Sequence, residues 1–206
     1  LLTYDEDRLP SISHVFIGGE VIQANARKCI ARLIANGTVV INHYGPTETT
    51  VGACTYGIPA DQSGTVPIGK PIKGMRALVL DDTGALVPEG IIGELHLSGA
   101  GVSSGYLGRS DLTAASFKAD EFSRSGAELR YATGDLVYKD DVGQLVYVGR
   151  KDNQVKIRGY RVELEEIEAA MMRSSLVQAA VVLLDTTKDS LVAYVQLAQS
   201  SAPVTE

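Results

Sequence analysis

The sequence contains little cysteine and no hydrophobic run of membrane-spanning length, and both absences narrow the class of protein. Its 206 residues include 2 cysteines, Cys29 and Cys54, whose spacing fits no metal site. We predict that both are small buried hydrophobic residues in a reducing compartment. No apolar stretch approaches the roughly 20 residues that cross a bilayer, and the first residues lack the basic-then-apolar plan of a signal peptide. We therefore expect a cytoplasmic protein without a membrane segment.

The chain also has little positive charge. Its 19 lysines and arginines face 25 aspartates and glutamates, which gives a formal net charge of −6. Because this mean field repels polyanions, we expect no general affinity for nucleic acid or anionic membrane, although a local basic stretch could still bind an anion. The composition is that of an ordinary globular protein, and the length allows one substantial core or a larger and a smaller domain.

The two ends of the sequence look cut. The chain begins with LLTYDEDRLP, which has no initiator methionine, and it ends in the polar tail AQSSAPVTE. We therefore expect a segment of a longer protein.

Residues 14 to 42 predict a strand-helix-strand unit. His14 to Ile17 is a short apolar run that glycines end, and apolar residues then recur at helical spacing. Thr38 to Asn42 is a second run, rich in β-branched residues. The length of the connection predicts that the two strands pair in parallel. We place this unit at the end of a layered α/β subdomain, residues 1–63.

From residue 64 onward, short strands alternate with glycine-rich turns. In GELHLSG, Leu95 and Leu97 share one face while Glu94 and His96 share the other, which is typical of a half-buried antiparallel strand. The stretches DDTG and DDVG predict hairpin turns, with glycine available for positive φ. We predict a distorted antiparallel β-barrel or sandwich-like subdomain over residues 64–151.

Two further helices are predicted. One interrupts the β-region around Leu112 to Phe117, where Ser110 or Asp111 can cap it. The other is VELEEIEAAMM, which follows a short strand and precedes the strands VQAAVVLL and LVAYVQL. This order is the beginning of a small α+β domain, residues 152–206, after a charged link at residues 149–154.

Polar residues follow the second predicted strand, in the stretch NHYGPTETT. Ligands bind outside the carboxyl ends of strands in open α/β sheets. The ring of Tyr44, the hydroxyls of Thr47 and Thr49 and the carboxylate of Glu48 could hold an aromatic base, phosphate oxygens and Mg²⁺. The alternative is a capping loop in which Thr47 or Thr49 starts a helix. Spacing alone favours the capping loop.

Two later stretches could also bind a ligand. In YATGDLVY, Asp135 precedes a strand and could accept two hydrogen bonds from a vicinal diol such as ribose, but an Asx turn explains the placement equally well. In GRKDNQVKIRGYRV, Gly159 suggests positive φ or a close backbone approach. The basic residues of this stretch suggest anion contact, although a solvated strand face is the alternative. They are Arg150, Lys151, Lys156, Arg158 and Arg161.

Four stretches in this order resemble successive core motifs of the adenylation domains of nonribosomal peptide synthetases: NHYGPTETT, GELHLSGAGVSSGYL, YATGDL and GRKDNQVKIRGYRVELEEIE. These domains belong to the adenylate-forming superfamily, which also holds acyl-CoA synthetases and luciferases. The resemblance runs from about Phe16 to Glu168. It implies that residues 1–63 end the large α/β subdomain, residues 64–151 form a β-barrel-like subdomain, and residues 152–206 begin the small C-terminal α+β subdomain after a hinge.

The resemblance also implies a nucleotide site. Glu48 matches the glutamate associated with Mg²⁺, and Thr47 resembles a phosphate contact, so these two are the catalytic candidates. Asp135 matches the aspartate that grips both ribose hydroxyls. Tyr44 resembles the tyrosine that packs against adenine. The remaining implied nucleotide contacts are Asn42, Gly45, Tyr147 and Arg150.

Outside the nucleotide site, the resemblance implies two residues of domain motion and a substrate pocket. Asp152 matches the hinge about which the small domain rotates. Gly159 matches the glycine loop that lines the tunnel for phosphopantetheine. The implied amino-acid pocket consists of Phe16, Gly18, His43, Val51 and Gly52.

The resemblance implies that the parent protein forms aminoacyl-AMP from ATP, with Mg²⁺, and passes the amino acid to a carrier-protein thiol. A condensation domain is a further implied partner. The family's phosphate loop should precede residue 1 and its catalytic lysine should follow Glu206, so we expect the isolated chain to be inactive. Ser103 and Ser104 stand where the family often has alanine and arginine. The alternatives are an acyl-CoA or aryl-CoA ligase, which Pro46 disfavours, and a non-catalytic fragment.

Overall fold

The computed structural model describes residues 12–123, 128–157, 159–185 and 190–198, with the side chains of residues 24 and 25 outside this description. The chain divides into two compact units, Leu1–Lys151 and Asp152–Glu206. Among the described residues, no helix is long and apolar enough to span a bilayer.

The first unit opens with a four-stranded sheet in the order β1-β2-β3-β4. Strands β1 and β2 pair in parallel, which confirms the predicted strand-helix-strand unit. Asn36 and Gly37 end the helix as predicted, and Gly37 has a φ of 85°. The elements are β1 (His14–Gly18), α1 (Ala24–Ala35), β2 (Val39–Tyr44), β3 (Cys54–Gly57) and β4 (Lys70–Pro71).

One face of this sheet packs against α1. Ile30 of the helix and Val40 of β2 are almost fully buried, together with Ile58 and Val66. Ile17 packs against the same cluster. Because side chains alternate along a strand, the neighbouring residues of β1 and β2 point to the opposite face of the sheet.

A second sheet is antiparallel throughout and follows the order β5-β6-β8-β7, with β9 also paired to β8. Within the described ranges this sheet is open, which corrects the predicted barrel. The reason is that β7 and β9 pair with successive halves of the same edge of β8, so the order does not return to β5. The elements are β5 (Met75–Leu80), β6 (Gly93–Gly99), α2 (Ser110–Ser116), β7 (Phe117–Ala119), β8 (Leu129–Lys139) and β9 (Leu145–Arg150).

The two sheets of the first unit share a core. The backbone of Gly69 bridges that of Leu145 in β9. The cluster contains residues of both sheets: Ala53, Cys54, Ile68, Met75, Val79, Leu95, Leu97, Val137 and Leu145. Cys54 is fully buried as predicted, and burial raises the pKa of its thiol to about 12. Cys29 is only partly buried, so the prediction of burial is met in part.

Strand β6 is buried on both faces, so the prediction of a half-buried strand is wrong. His96 is 7% exposed, and the guanidinium of Arg130 donates to its Nδ1 at 2.8 Å. Ser98 is fully buried as well. The polar face of β6 is therefore covered by a charged side chain from β8, which the alternation pattern of β6 itself does not reveal.

Both predicted hairpin turns form. The Asp81 carboxylate accepts from the backbone N–H groups of Thr83 and Ala85 at 2.9 and 3.0 Å. Asp140 holds the turn between β8 and β9 in the same way, and Gly143 has a φ of 76°. The Asp140 turn joins β8 to β9, whereas the Asp81 turn leads from β5 to an isolated bridge between Leu80 and Leu86.

Helix α2 forms where it is predicted, but its predicted cap is wrong. Arg109 occupies the N-cap position, and no side chain caps the helix. The Asp111 carboxylate pairs with the Arg109 guanidinium at 2.9 Å.

The described residues of the second unit form two small antiparallel sheets and one helix. The predicted strands and helix are present, together with one additional strand, β11, which pairs with β10. Helix α3 contacts β12, since the Glu168 carboxylate accepts from the backbone N–H of Val182 at 2.8 Å. The elements are β10 (Gln154–Ile157), β11 (Tyr160–Glu163), α3 (Leu164–Met172), β12 (Val177–Asp185) and β13 (Ser190–Leu197).

Candidate functional site

Asp135 lies inside β8 rather than before a strand, which corrects the prediction. The pairing of β8 with β6 shifts register between Glu94 and His96, so the stretch from Thr133 to Asp135 forms a bulge. Gly134 has a φ of 73°, a value that favours glycine. The Thr133 hydroxyl accepts from the Asp135 N–H at 3.0 Å and donates to the Leu95 carbonyl at 2.7 Å. The bulge therefore changes the direction in which the Asp135 side chain leaves the strand.

Two side chains from other strands meet the Asp135 carboxylate. The Arg150 guanidinium, on β9, donates to Oδ1 at 2.7 Å, and the Tyr44 hydroxyl, at the end of β2, donates to Oδ2. The side chains of Arg150 and Asp135 are only 11% and 8% exposed. Burial, together with the nearby Asp135 charge, raises the pKa of Tyr44 well above its usual range, so its phenol stays protonated and can donate. Three residues predicted from three separate motifs thus form one cluster.

Glu48 lies in a short 3-10 helix, Thr47–Thr49, directly after β2, and is 8% exposed. The Tyr106 hydroxyl donates to its Oε1 at 2.6 Å, and the Glu48 carbonyl accepts from the Ser103 N–H at 2.9 Å. Burial, reinforced by the bond to Glu48, raises the pKa of Tyr106 well above its usual range. Sequence reasoning missed Tyr106, although it lies in the stretch SSGYL within one of the quoted motifs.

The capping alternative is met in part, since a short helix begins at Thr47, but neither threonine caps it. Pro46 occupies the N-cap position of the 3-10 helix, and no side chain caps it. Thr47 is exposed, whereas Thr49 is fully buried and donates its hydroxyl to the Pro46 carbonyl at 3.1 Å. The Thr47 side chain therefore points to the surface beside Glu48.

The loop between β2 and β3 is tightly constrained. A Cβ atom on Gly45 would lie 2.6 Å from the Val51 carbonyl oxygen and 2.7 Å from the Ala53 nitrogen, so only glycine fits there. Thr50 and Val51 have φ values of 59° and 67°. Such values cost β-branched residues on the order of 1–3 kcal/mol and are concentrated at functional sites.

Four of the five predicted pocket residues come together. The rings of Phe16 and His43 meet edge to face, with their centroids 6.2 Å apart. A Cβ atom on Gly18 would lie 2.0 Å from the His43 carbonyl oxygen, and one on Gly52 would lie 2.2 Å from its Nε2. Phe16, Gly18 and His43 share the face of the first sheet that is opposite to α1. Val51, beside Gly52 in the chain, is 63% exposed.

Two further predicted nucleotide contacts have side chains that pack against the core. Asn42 is 6% exposed, and its amide donates to the Pro67 carbonyl at 2.7 Å. Tyr147 is partly buried against the shared core of the two sheets. These two side chains support the strands that carry Tyr44 and Arg150.

The predicted hinge residue, Asp152, and the predicted tunnel residue, Gly159, both belong to the second unit. The Asp152 carboxylate accepts from the Gln154 N–H at 3.2 Å. Gly159 has a φ of 80°, which confirms the predicted positive φ. Of the basic residues in this stretch, Arg150 and Lys151 pair with carboxylates of the first unit, and Arg158 lies outside the described residues.

Glu48 and Thr47 could supply part of a Mg²⁺ site, and a bound substrate would supply the remaining oxygen ligands. In the part of the chain that the structure describes, no three carboxylate, imidazole or thiol groups gather as a metal centre. Mg²⁺ is usually held by one or two carboxylates plus phosphate oxygens, and Glu48 beside the exposed Thr47 hydroxyl supplies the protein share of such a set.

Comparison with known proteins gives a consistent picture. Residues 2–107 match the family model described as AMP-binding enzyme. The chain is 45% identical over 192 residues to malpibaldin synthetase of Mortierella alpina, an alignment that covers 91% of this chain and 3% of that protein. It is 40% identical over 190 residues to bacitracin synthase 3 of Bacillus licheniformis, covering 90% of this chain and 3% of that protein. The chain thus spans a small part of these curated relatives.

A solved structure has the same fold. It is holo-PA1221, described as an NRPS protein containing adenylation and PCP domains bound to a vinylsulfonamide inhibitor. The TM-score is 0.79 at 30% sequence identity, and the match covers 96% of this chain and 36% of that chain.

Proposed function

Because the chain belongs to the AMP-binding enzyme family, we propose that it forms part of an adenylation domain that activates an amino acid. The product is an aminoacyl adenylate, which is passed to the phosphopantetheine thiol of a carrier-protein domain. The observation that carries the proposal is that Tyr44 and Arg150 both donate hydrogen bonds to the buried Asp135 carboxylate. We infer a cytoplasmic location for this activity.

The Asp135 carboxylate is suited to bind ribose. A carboxylate offers about four lone-pair sites on its two oxygens. Tyr44 and Arg150 take one on each oxygen, which leaves acceptor capacity for the two hydroxyls of a vicinal diol. The ring of Tyr44 would then lie beside the adenine, with the backbone of Gly45 and the Arg150 guanidinium near the nucleotide. We assign Asn42 and Tyr147 to this site as well, where their packing holds the strands that line it.

Glu48 and Thr47 would hold Mg²⁺ and the phosphates. Tyr106 orients the Glu48 carboxylate through its hydrogen bond, so that the carboxylate has a fixed direction at the end of β2. When bound, the ion neutralises phosphate charge. The protein's own share of catalysis is to position the reacting groups and exclude water around them.

The first step needs no general base, since the amino-acid carboxylate is already a nucleophile. One of its oxygens forms a bond to the α-phosphorus of ATP while the bond to pyrophosphate breaks. In the second step the carrier thiol loses its proton to solvent, and the thiolate attacks the acyl carbon. The thioester bond forms as the bond between the acyl carbon and the phosphate oxygen breaks, and AMP leaves. We place the amino acid at the pocket formed by Phe16, Gly18, His43, Val51 and Gly52, on the opposite face of β2 from the α1 core.

The two units would serve the two half-reactions. We assign residues 1–63 and 64–151 to the large and β-rich subdomains that bind the nucleotide, and residues 152–206 to the small subdomain. Asp152 is the proposed hinge and Gly159 the proposed tunnel residue. The pairing of adenylation and PCP domains named for the solved relative supports a carrier-protein partner, and a condensation domain is a further proposed partner.

The test is amino-acid-dependent exchange of pyrophosphate into ATP by the full-length protein that contains these 206 residues. We expect exchange with one amino acid or a few close analogues. Exchange with none of a broad panel of amino and aryl acids would overturn the proposal. A second assay offers coenzyme A and a phosphopantetheinylated carrier domain as acceptors. Preference for coenzyme A would favour an acyl-CoA ligase, the alternative that the peptide-synthetase relatives disfavour.

A further inference from the structure

Glu94 lies on β6 directly opposite the bulge that carries Asp135. Its Oε1 accepts from the backbone N–H of Gly134 at 3.2 Å, and its Oε2 lies 3.5 Å from the Lys151 ammonium. The Glu94 side chain is 17% exposed. One carboxylate thus faces both a backbone position in the left-handed region and a cation.

Lys151 contacts the same glycine. Its backbone N–H donates to the Gly134 carbonyl at 2.8 Å, and its ammonium also pairs with Asp82 at 2.7 Å. Both backbone polar groups of Gly134 are therefore held, the N–H by Glu94 and the carbonyl by Lys151. Since Glu94 and Lys151 also pair with each other, the three residues form a closed ring of polar contacts, which we call the Gly134 ring.

The Gly134 ring holds the backbone next to each member of the buried Asp135–Arg150 ion pair. Gly134 immediately precedes Asp135, and Lys151 immediately follows Arg150. Fixing the peptide between Gly134 and Asp135 fixes the direction of the Cα–Cβ bond of Asp135. Fixing Lys151 limits the movement of Arg150 along β9. The ring therefore restrains the backbone from which both charged side chains project.

We propose that Glu94 is a positioning residue that aims the Asp135 carboxylate at the ribose hydroxyls, with Lys151 holding Glu94 in place. This inference rests on the proposed function. Glu94 and Lys151 act through Asp135 and do not themselves touch the nucleotide. Small errors in the direction of a binding group reduce rates strongly, because hydrogen bonds to the ribose depend on angle as well as distance.

His96 does not compete with Lys151 for Glu94. Its Nε2 lies 3.9 Å from Glu94 Oε1. Burial lowers the pKa of His96 to about 4, against the opposing effect of Glu94 and with a further lowering from Arg130. The imidazole is therefore neutral near pH 7, and Lys151 is the cation that pairs with Glu94.

The experiment compares ATP with 2′-deoxy-ATP in the exchange reaction of the full-length protein. A residue that only stabilises the fold lowers kcat/KM for both nucleotides equally, whereas a residue that aims Asp135 lowers the preference for ATP. We expect Glu94→Leu and Lys151→Met to reduce that preference about tenfold, the size expected for losing one charge-assisted hydrogen bond. Glu94→Gln keeps a neutral acceptor for Gly134 and Lys151→Arg keeps the positive charge, so both should retain most of the preference.

Matched controls separate the outcomes. The Asp82 side chain, which pairs with Lys151, is 88% exposed. Asp82→Asn should therefore leave the preference unchanged. Asp135→Ala should abolish the preference. If Glu94→Leu does not fold, Lys151→Met decides the question, because it removes the cation that holds Glu94. An unchanged preference in Lys151→Met and Glu94→Leu, with kcat/KM lowered equally for both nucleotides, would overturn the inference.

Failure of the proposed function gives a different result. If the wild-type protein exchanges no pyrophosphate, the proposed function is wrong and the inference fails with it. If the wild type exchanges pyrophosphate but does not prefer ATP over 2′-deoxy-ATP, the ribose assignment of Asp135 is wrong, and the aiming role of Glu94 is wrong as well.

Discussion

The Tyr106 hydroxyl donates to Glu48 at 2.6 Å, joining two residues that are 58 positions apart in the chain. The bond ties the loop after β2 to the segment between β6 and α2. It fixes the direction of a carboxylate that is 8% exposed. The site therefore depends on a phenol that has no proposed contact with the substrate.

Replacing Tyr106 with phenylalanine should weaken Mg²⁺ binding and lower stability. The loss of one buried hydrogen bond is expected to reduce the free energy of unfolding by about 1–2 kcal/mol. The Mg²⁺ concentration for half-maximal exchange should rise roughly tenfold, as for the removal of other outer-shell partners. A magnesium titration of the exchange rate measures this effect. Tyr56→Phe is the control, since Tyr56 donates to Gln62 at 2.7 Å outside the proposed site. An equal rise in both variants would contradict the role of Tyr106.

Asp135→Asn should be costly both to stability and to nucleotide use. The substitution removes the negative charge that faces the Arg150 guanidinium, and breaking a buried ion pair costs about 3 kcal/mol or more. We expect kcat/KM for ATP to fall roughly 100-fold through weaker charge-assisted hydrogen bonds. Urea denaturation and exchange kinetics measure the two effects. Asp111→Asn breaks an exposed pair with Arg109 and should change neither quantity measurably. Normal kinetics in Asp135→Asn would refute the ribose assignment.

Alanine at Gly52 and at Gly18 should have different effects. At Gly52 the new methyl group meets the His43 ring, which can rotate away. We therefore expect a changed KM for the amino acid with an unchanged KM for ATP. At Gly18 the methyl group meets the His43 backbone oxygen, and such overpacking costs about 1–3 kcal/mol of stability. Gly57→Ala meets nothing within 4 Å and serves as the control for both. A Gly52→Ala protein with unchanged amino-acid kinetics would place the pocket elsewhere.

Stability should fall as the pH drops below about 6.5. The usual pKa of histidine is 6.5, and burial lowers that of His96 to about 4 in the folded protein. Between these values the unfolded chain binds a proton that the folded chain does not, so acid favours unfolding, by about 2 kcal/mol after allowance for solvent screening. Denaturant unfolding at pH 7 and pH 4.5 measures the change. His96→Gln should flatten this dependence, and His14→Gln, at an exposed imidazole, should not. The same slope in His96→Gln and wild type would rule out His96 as the cause.

The sequence alone predicts the strands, helices and turns that depend on local residue patterns. The runs that became β1, α1 and β2 have apolar residues at strand or helix spacing, and their order fixed parallel pairing. The turns at Asp81 and Asp140 were predictable because each carboxylate bonds the backbone two and four residues later. Within the proposed site, the local signals identified Tyr44, Glu48 and Asp135 as candidates.

Features that depend on partners far along the chain were missed. The sequence pattern places Asp135 before a strand, because the bulge that holds it arises from the pairing of β8 with β6. The same kind of pattern places His96 on a solvated face, because the side chain that covers it, Arg130, lies 34 residues later. The barrel was predicted from many short strands, but strand order decides closure, and no residue pattern within one strand encodes that order.

The left-handed backbone at Val51 links selectivity to stability in one direction. A β-branched residue at a φ of 67° is disfavoured, whereas glycine and asparagine adopt this conformation readily. In the proposed pocket, Val51→Gly would therefore make room for a larger substrate and also relieve the loop, while adding entropy to the unfolded chain. Val51→Ile would reduce the room and keep a β-branched residue in the disfavoured conformation.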